Sequence, residues 1–570
     1  MKNIKSNEVA VLVSGPFNEP FDYSIESEKN SVCIGQVVLV PFGKRKTVGI
    51  IVGEGTRTIP QEKLKRIDEI YELNPIPQSS IELINFLANW YCAYKGLVLK
   101  MVLSPVEAIT SPEYKKVYKS KFKDIEQIEA INTYKITSNR KIVLDFLLKS
   151  KQAVFPEDLI EKTGISRSIL RDMTKKNLIV EEMVKKQTNS NLKAFNYYKT
   201  KFENTKLLNA EQKKAVDKIN VSIKKQKSDC FLLDGVPGSG KTETYFQTVK
   251  ACLDEGKQIL ILLPEISLTP DWEKRFYQTF SFAPLVWHSG ITNTKKKQIW
   301  LSALNGSAGV VVGARSALML PISNLGLIIV DEEHEPAFKQ EEGVRYNARD
   351  MAIYKAIRSS APIVLASATP SLETFHNMKI GKYIHLTLPK RATGAALPDI
   401  KLIDLKVNTP ERGRWISSVL INEIKSKLDN REQSLLFLNR RGYAPLTICN
   451  SCGNKIKCVN CDTWLVEHRS QDILVCHHCG YTKRISNTCS ICGVEGQIKA
   501  CGPGVERIEE EINQLFPEAK LTVLSSDTMK SQKTLIKTLE NIKNNKVDII
   551  IGTQMIAKGH DFPDLKLVGI

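Results

Sequence analysis

Residues 231–246 read FLLDGVPGSGKTETYF. The stretch opens as a continuous apolar strand, passes through a glycine-rich turn and runs on toward a helix. Within it Gly235, Val236, Pro237, Gly238, Ser239, Gly240, Lys241 and Thr242 match G-x-x-x-x-G-K-[ST], in the strand-to-helix position that the pattern requires. Glycines let backbone N–H groups close on phosphate oxygens, Lys241 is expected to reach the β- and γ-phosphates, and Thr242 to ligate Mg²⁺. The expected cofactors are therefore ATP and Mg²⁺. Downstream, LIIVDEEHE (327–335) is an apolar strand ending in carboxylates. Asp331 is expected to hold the metal and Glu332 to act as general base, so Lys241, Thr242, Asp331 and Glu332 form the candidate catalytic set.

Strands of the same kind recur on both sides. From about residue 205, CFLLDG, QILILLP, APLVWHSG, GVVVGARS, LGLIIVDEE and APIVLASATP alternate with helix-length segments, which predicts a mainly parallel sheet covered on both faces. A second set begins near 395 with IKLIDLK, QSLLFLNRRG, KLTVLSSD, VDIIIGTQM and LKLVGI. Ahead of the first set, residues 1 to about 105 hold short β-type runs (EVAVLVSG, SVCIGQVVLVPFG, TVGIIVGEG) and one helical segment, SSIELINFLANWYCAYKG. Between about 136 and 186, three helical patterns with start signals at Ser138, Pro156 and Ser166 precede a short strand pair, the order of a winged helix. Residues 166–176 would be its groove-entering helix. The basic stretch NTKKKQ (293–298) reads as a solvated face.

Lys and Arg number 81 against 62 Asp and Glu, a net charge of +19 that suits a polyanionic partner, nucleic acid above all. No run of about 18 apolar residues occurs and the N-terminus lacks a signal-peptide h-region, so the expectation is a cytoplasmic protein without membrane contact. Of the 13 cysteines, eight lie in four C-x-x-C pairs: Cys449/Cys452, Cys458/Cys461, Cys476/Cys479 and Cys489/Cys492. In a reducing compartment that clustering means metal. Two pairs supply one tetrahedral Zn²⁺, so four pairs predict two all-cysteine sites, structural because every position on the metal is closed. Sequential, crossed and nested pairings all satisfy the count. His477 and His478 are expected beside the ligands and not among them.

The family enters with what surrounds the phosphate loop. LNAEQKKAV (208–216), LLPEISLTP (262–270), WHSG (287–290), VVGARSAL (311–318), VDEEHE (330–335), ASATPSLE (366–373), LLFLNRRGYAP (435–445) and GTQMIAKGHDFPDL (552–565) follow in order. This series resembles superfamily 2 helicases and, within them, the PriA replication-restart helicase family. VPFG with TVGIIV, and FLANWYCAYKG, resemble that family's 3′-end-binding domain, so the likeness covers essentially the whole chain.

The resemblance implies an α/β multidomain fold: a β-rich 3′-end DNA-binding domain (1–105), a winged helix with linkers (106–200), a RecA-like ATP-binding lobe (201–394), and a second lobe in two parts (395–445 and 501–570) around a zinc insertion (446–500). It implies that Gln212 holds the adenine. It also implies that FKQEEGVRYNARD (338–350) is an aromatic-rich loop coupling DNA to hydrolysis, with Phe338 and Tyr346 stacking on bases and Arg345 and Arg349 on phosphates. Ser367 and Thr369 resemble a motif linking ATP state to lobe movement, and Gly559, His560 and Asp561 a nucleotide-facing part of the second lobe. For the cysteines it implies nested pairing, Cys449, Cys452, Cys489 and Cys492 outside and Cys458, Cys461, Cys476 and Cys479 inside. The implied activity is ATP-dependent 3′–5′ unwinding of branched DNA at stalled or recombined forks and initiation of primosome assembly. The implied partners are branched and single-stranded DNA, primosome and helicase-loading proteins, and single-stranded DNA-binding protein.

Two departures temper this. DLKLVGI (564–570) reads as a strand ending without a cap, so the stretch is expected to be cut short, and no Q-x-x-G-R-x-G-R motif occurs in it. Poor hydrolysis, or a non-catalytic fork-binding and loading scaffold, is the alternative expectation. Ser525 and Ser526 stand where the family has an arginine.

Overall fold

The protein is described from a computed structural model, at all residues except 1–2, 5, 26–31, 57–59, 106–113, 123–136, 151–153, 177, 186–207, 265–269, 393–397, 412–413, 439–445, 450, 469–472, 477, 497, 502–504, 526–531, 554–555, 557–561 and 563. The chain divides into two compact units, Met1–Ala395 and Ala396–Ile570.

The first unit opens with a five-stranded antiparallel sheet of β1 (Glu8–Val13), β2 (Phe21–Ser24), β3 (Val37–Phe42), β4 (Arg45–Glu54) and β5 (Glu69–Ile70), in the order β2-β1-β4-β3-β5. The single helix expected after it is two, α1 (Gln78–Trp90) and α2 (Lys95–Val102). Cys92 breaks the run at a φ of 52°. Beside the break, the Tyr91 hydroxyl accepts the Asn347 N–H at 3.1 Å.

Next, β6 (Tyr114–Ser120), α3 (Ser138–Ser150), α4 (Pro156–Thr163), α5 (Arg167–Lys175) and β7 (Ile179–Lys185) close around Leu144, Leu159, Leu170 and Met173. The expected strand pair after the helices is corrected here: β7 pairs antiparallel with β6, which precedes them. Apolar alternation identifies a strand but carries no information on which neighbour completes its ladder.

The largest sheet of the first unit follows α6 (Ala210–Lys224). Its strands are β8 (Cys230–Gly235), β9 (Gln258–Leu262), β10 (Leu285–Trp287), β11 (Val310–Gly313), β12 (Leu325–Asp331), β13 (Ile363–Ser367) and β14 (Ile384–Leu388). They form one parallel sheet in the order β10-β11-β9-β12-β13-β8-β14. Helices α7 (Lys241–Asp254), α8 (Pro270–Phe280), α9 (Asn293–Leu304), α10 (Ala348–Arg358) and α11 (Leu372–Lys379) alternate with the strands. Alternate residues enter two separate cores: Leu260, Leu262, Ile328 and Val330 go into one, Ile259, Ile261, Leu327 and Ile329 into the other. Burial of both faces is why these strands read as unbroken apolar runs. The N-terminal helices share the first core. Trp300 donates its indole N–H to Val102 O at 2.8 Å, and the Phe86 ring stacks on Tyr354 with centroids 3.8 Å apart.

The second unit has a four-stranded parallel sheet built after α12 (Ser418–Asp429). Its strands β15 (Gln433–Phe437), β21 (Leu521–Leu524), β22 (Ile549–Gly552) and β23 (Leu565–Gly569) lie in the order β21-β22-β15-β23, with α13 (Val505–Leu515) and α14 (Gln532–Lys543) between them in sequence. The cysteine-rich insertion between β15 and α13 carries β16 (Leu446–Cys449), β17 (Val466–His468), β18 (Ile473–Val475), β19 (Thr482–Arg484) and β20 (Ile498–Cys501). IKLIDLK, expected as this unit's first strand, is not one: Ile400 and Leu402 are 86% and 96% exposed and the segment has no ladder partner among the described residues. A strand persists only where a neighbour takes up its backbone N–H and C=O groups.

Candidate nucleotide and zinc sites

β8 and β12 flank β13, so the phosphate-loop strand and the carboxylate strand end one strand apart at the same edge of the sheet. The carboxyl ends of parallel strands are where open α/β sheets place their ligands. Gly240 opens α7 at a φ of 81° and brings no side-chain cap, leaving the first-turn N–H groups to an anion. A β-carbon on Gly240 would lie 2.3 Å from Gln212 Nε2, so glycine is required there. Lys241 Nζ donates to Gly235 O at 2.9 Å, which holds the amine over the loop.

Gln212, expected at the adenine, lies 3% exposed with both ends of its amide engaged. Its Oε1 accepts from Asn209 N at 2.9 Å in a reciprocal capping box, and Nε2 donates to Ser239 O at 2.9 Å. It buttresses the loop from below.

Asp331 Oδ2 accepts from the Tyr245 hydroxyl at 2.9 Å and Oδ1 from Glu332 N at 3.0 Å. Burial pushes this carboxyl up from the usual range, while Tyr245 and the Lys241 charge pull it back. Glu332 adopts a φ of 49°, a left-handed backbone that costs a non-glycine residue about 1–3 kcal/mol and is kept where geometry demands it. The next two residues make the links to the ASATPSLE segment. Glu333, fully buried, accepts from Arg349 Nη1 at 3.1 Å, Ser371 N at 2.7 Å, Ser371 Oγ at 3.1 Å and Thr374 Oγ1 at 2.9 Å. His334 Nδ1 lies 2.8 Å from Ser367 Oγ, which also accepts Thr369 N–H at 3.0 Å. The only sequence signal for Glu333 was its place in an acidic run.

The 338–350 segment is a short hairpin, Lys339–Gln340 against Tyr346–Asn347, leading into α10. Here three expectations need correcting. Phe338 and Tyr346 are 2% and 1% exposed and belong to the lobe core, so neither ring offers a face to a base. Arg349 is buried between Glu333 and Asp350; burial opposes its charge, but the two carboxylates outweigh that and raise its pKa. Its guanidinium is committed to protein. Arg345 alone of the four points to solvent, its Nε donating to Glu341 O at 3.2 Å.

In the second unit, Cys449, Cys452, Cys489 and Cys492 converge as one cluster and Cys458, Cys461, Cys476 and Cys479 as another, the Sγ atoms of each within 4.8 Å of one another. This is the nested arrangement. Sγ–Sγ distances of 3.7 Å (Cys449–Cys492, Cys452–Cys489), 3.4 Å (Cys458–Cys479) and 3.5 Å (Cys461–Cys476) come close to the roughly 3.8 Å edge of a tetrahedron with metal–sulfur bonds of about 2.3 Å. The donor set therefore fits Zn²⁺. Three of the C-x-x-C pairs are followed by a glycine (Gly453, Gly480, Gly493) with φ of 69–75°, whose N–H returns to the carbonyl of the first cysteine and turns the knuckle around the metal position. Backbone amides, chiefly of Cys479 and Cys492, lower the Cys476 and Cys489 thiols to about 6, while without a metal the crowded sulfurs push the Cys479 and Cys452 thiols beside them up to about 12. The β16–β20 ladder closes the base of the module beside the outer cluster, and the β17–β18–β19 sheet carries the inner one. His478 is exposed and joins neither cluster. Gly559, His560, Asp561, His477 and Ser526 lie outside the described residues.

No helix among the described residues is long and apolar enough to cross a membrane. Three family models match the chain: the PriA 3′ DNA-binding domain over residues 9–104, the DEAD/DEAH box helicase over 209–378, and the PriA DNA helicase cysteine-rich region over 458–484. The replication restart protein PriA of Rickettsia felis is 38% identical over 97% of this chain and 72% of its own length. Those of Haemophilus influenzae and Bacillus subtilis are 35% and 32% identical over 99% of this chain and 76% and 78% of their own. Among solved structures, RecG bound to a three-way DNA junction aligns at 17% identity over 64% of this chain and 38% of its own, with a TM-score of 0.38, too loose to add to the assignment. With that identity along nearly its whole length, a helicase lobe, a 3′ DNA-binding domain and a cysteine-rich zinc module, the chain belongs to the PriA family of replication restart proteins.

Proposed function

We propose that this chain is an ATP-dependent DNA helicase that moves 3′ to 5′, recognises branched DNA at stalled or recombined forks and initiates primosome assembly in the cytoplasm. The observation that carries the motor is the meeting of Lys241, Thr242, Asp331 and Glu332 at one edge of the lobe-1 sheet, in the unit that also holds the 3′ DNA-binding domain. Residues 1–105 take the 3′ strand end, 106–200 contact duplex, 201–394 bind ATP, 395–445 and 501–570 form the second lobe, and 446–500 hold two Zn²⁺ through the nested clusters. Primosome and helicase-loading proteins and single-stranded DNA-binding protein are the partners, with branched and single-stranded DNA.

In this reading Lys241 exchanges the Gly235 carbonyl for the β- and γ-phosphates, and the α7 amides cradle them. Thr242 and Asp331 would hold Mg²⁺, which would supply charge neutralisation at the transferred phosphoryl group. Glu332 takes up the proton of the attacking water, and Gln212, its amide held by Asn209 and Ser239, supports the loop that receives the nucleotide. Changes at Glu332 reach Ser371 and Ser367 through its neighbours Glu333 and His334. At the DNA side, Arg345 contacts phosphate, while Phe338, Tyr346 and Arg349 hold the loop that presents it. A fork assay tests this: unwinding of 3′-tailed but not 5′-tailed duplexes, lost in Lys241→Ala with fork binding kept, is the expected result. Fork binding without any ATP-driven unwinding would make the chain a loading scaffold.

A further inference from the structure

Tyr245 lies three residues past Thr242 on α7, so both side chains leave the same helix face. Its ring is fully buried, and its phenolic oxygen stands between two partners from different elements. Trp272 on α8 donates its indole N–H to that oxygen at 3.0 Å, and the hydroxyl reaches Asp331 Oδ2 at 2.9 Å. An indole nitrogen only donates and a carboxylate only accepts, so the phenolic proton is directed at Asp331 and the order of the relay is settled by chemistry. Thr242 lies beside Tyr245, one turn earlier on the same helix face. The indole is held in turn: it stacks on Phe276 at 5.4 Å and meets Phe246 edge-on at 5.7 Å. With Oδ1 on Glu332 N, both oxygens of Asp331 are oriented, and Tyr245 is its side-chain hydrogen-bond donor among the described residues.

We propose that Tyr245, anchored by Trp272, is a positioning residue that sets the Asp331 carboxylate, beside the Thr242 hydroxyl, for the divalent cation. The inference rests on reading this edge as the site of a magnesium nucleotide. Mg²⁺ requires near-octahedral oxygen geometry, and a carboxylate free to turn about its terminal torsion spends part of its time facing away. Groups that hydrogen-bond to metal ligands commonly matter 10- to 100-fold in metal affinity. Trp272 lies in the first turn of α8, two residues after the LLPEISLTP segment ends in sequence, so a displacement of that helix bears directly on the Asp331 carboxylate.

The test is Tyr245→Phe in the full chain, which removes one oxygen and keeps the ring in the core. Equilibrium binding of a fluorescent, non-hydrolysable ATP analogue is measured in Mg²⁺ and in EDTA, beside the Mg²⁺ concentration that half-saturates ATP hydrolysis. We expect binding in EDTA to stay within about twofold, the Mg²⁺-dependent gain to shrink about 10-fold or more, and the half-saturating Mg²⁺ to rise by a similar factor. Trp272→Phe, which leaves the hydroxyl but removes its anchor, should shift the same quantities in the same direction by less. Unchanged Mg²⁺ dependence in Tyr245→Phe overturns the proposal, as does an equal loss in Mg²⁺ and EDTA, which would mark a general effect on the pocket. If the parent chain itself shows no Mg²⁺-dependent gain, the nucleotide-site reading falls and this proposal with it.

Discussion

The nucleotide-binding lobe and the cysteine module reach order by opposite routes. In the lobe, a seven-stranded sheet buries both faces, and the phosphate loop and carboxylates are carried at its edge as a product of that fold. In the module, strands of three or four residues surround a small apolar cluster whose buried members among the described residues are Cys458, Leu465, Leu474 and Cys476. Two of those four are ligands of the inner cluster. So little apolar surface cannot offset the entropy of ordering more than fifty residues, and the metal must supply what the core does not. One site is made by its fold, and the other makes its fold.

The largest effect should come from removing metal. Chelation, or Cys476→Ser, takes away binding free energy that in small zinc modules amounts to about 10 kcal/mol or more, so residues 446–501 should become protease-sensitive while nucleotide affinity stays unchanged. A module that remains protected after its zinc is shown to have left would break the comparison. Lys241→Ala tests the other side. Steady-state ATP hydrolysis should fall by at least about 10²-fold, with the melting temperature barely moved, because the amine is tied only to its own loop. Cooperative loss of fold with activity would mean that the lobe, too, depends on its site.

Arg349→Ala probes the link between the lobe's core and its edge. It leaves the Glu333 carboxylate buried without its cation, and urea unfolding should show destabilisation of about 3 kcal/mol, with part regained in the double variant with Glu333→Gln. DNA stimulation of hydrolysis should drop in the single variant. The smallest effect concerns Lys355, buried in α10 with its amine on Leu318 O and Leu320 O at 2.6 and 2.7 Å. Burial lowers its pKa from 10.5 to about 7. Between about pH 7 and 10.5 the unfolded chain therefore binds a proton that the folded chain does not, and stability rises with pH through that window, by at most about 1.4 kcal/mol per unit. Below it both states are protonated and the contribution to the slope vanishes. Thermal melts at pH 7 and 8 should show the rise, and Lys355→Met should flatten it.

Where chemistry sits in contiguous residues, it was legible. The glycine turn with Lys241 and Thr242, the carboxylates at a strand tip and the four C-x-x-C pairs each need only neighbours in sequence, and most lobe strands announce themselves as apolar runs because both faces are covered. Two kinds of feature escaped. One was strand pairing: the β6–β7 ladder joins residues about sixty apart, IKLIDLK has the pattern of a strand without a described partner, and the seventh lobe-1 strand, IHLTL (384–388), lacks a continuous apolar run. The other was the burial of residues in an irregular loop. Phe338, Tyr346 and Arg349 look like a nucleic-acid contact set because the segment resembles the family's DNA-coupling loop, and no period there shows which side chains turn inward.

By itself, then, the sequence determined the ligand classes: a phosphate loop, a metal carboxylate and eight thiols, along with the apolar runs that make parallel sheets. Which thiols share a metal, which carboxylate oxygen faces Tyr245, and that Glu333 rather than solvent receives Arg349 were decided only by the tertiary structure. Spacing along the chain constrains groups a few residues apart, whereas contacts between distant elements depend on sheet order and on how each core fills, and neither leaves a local mark.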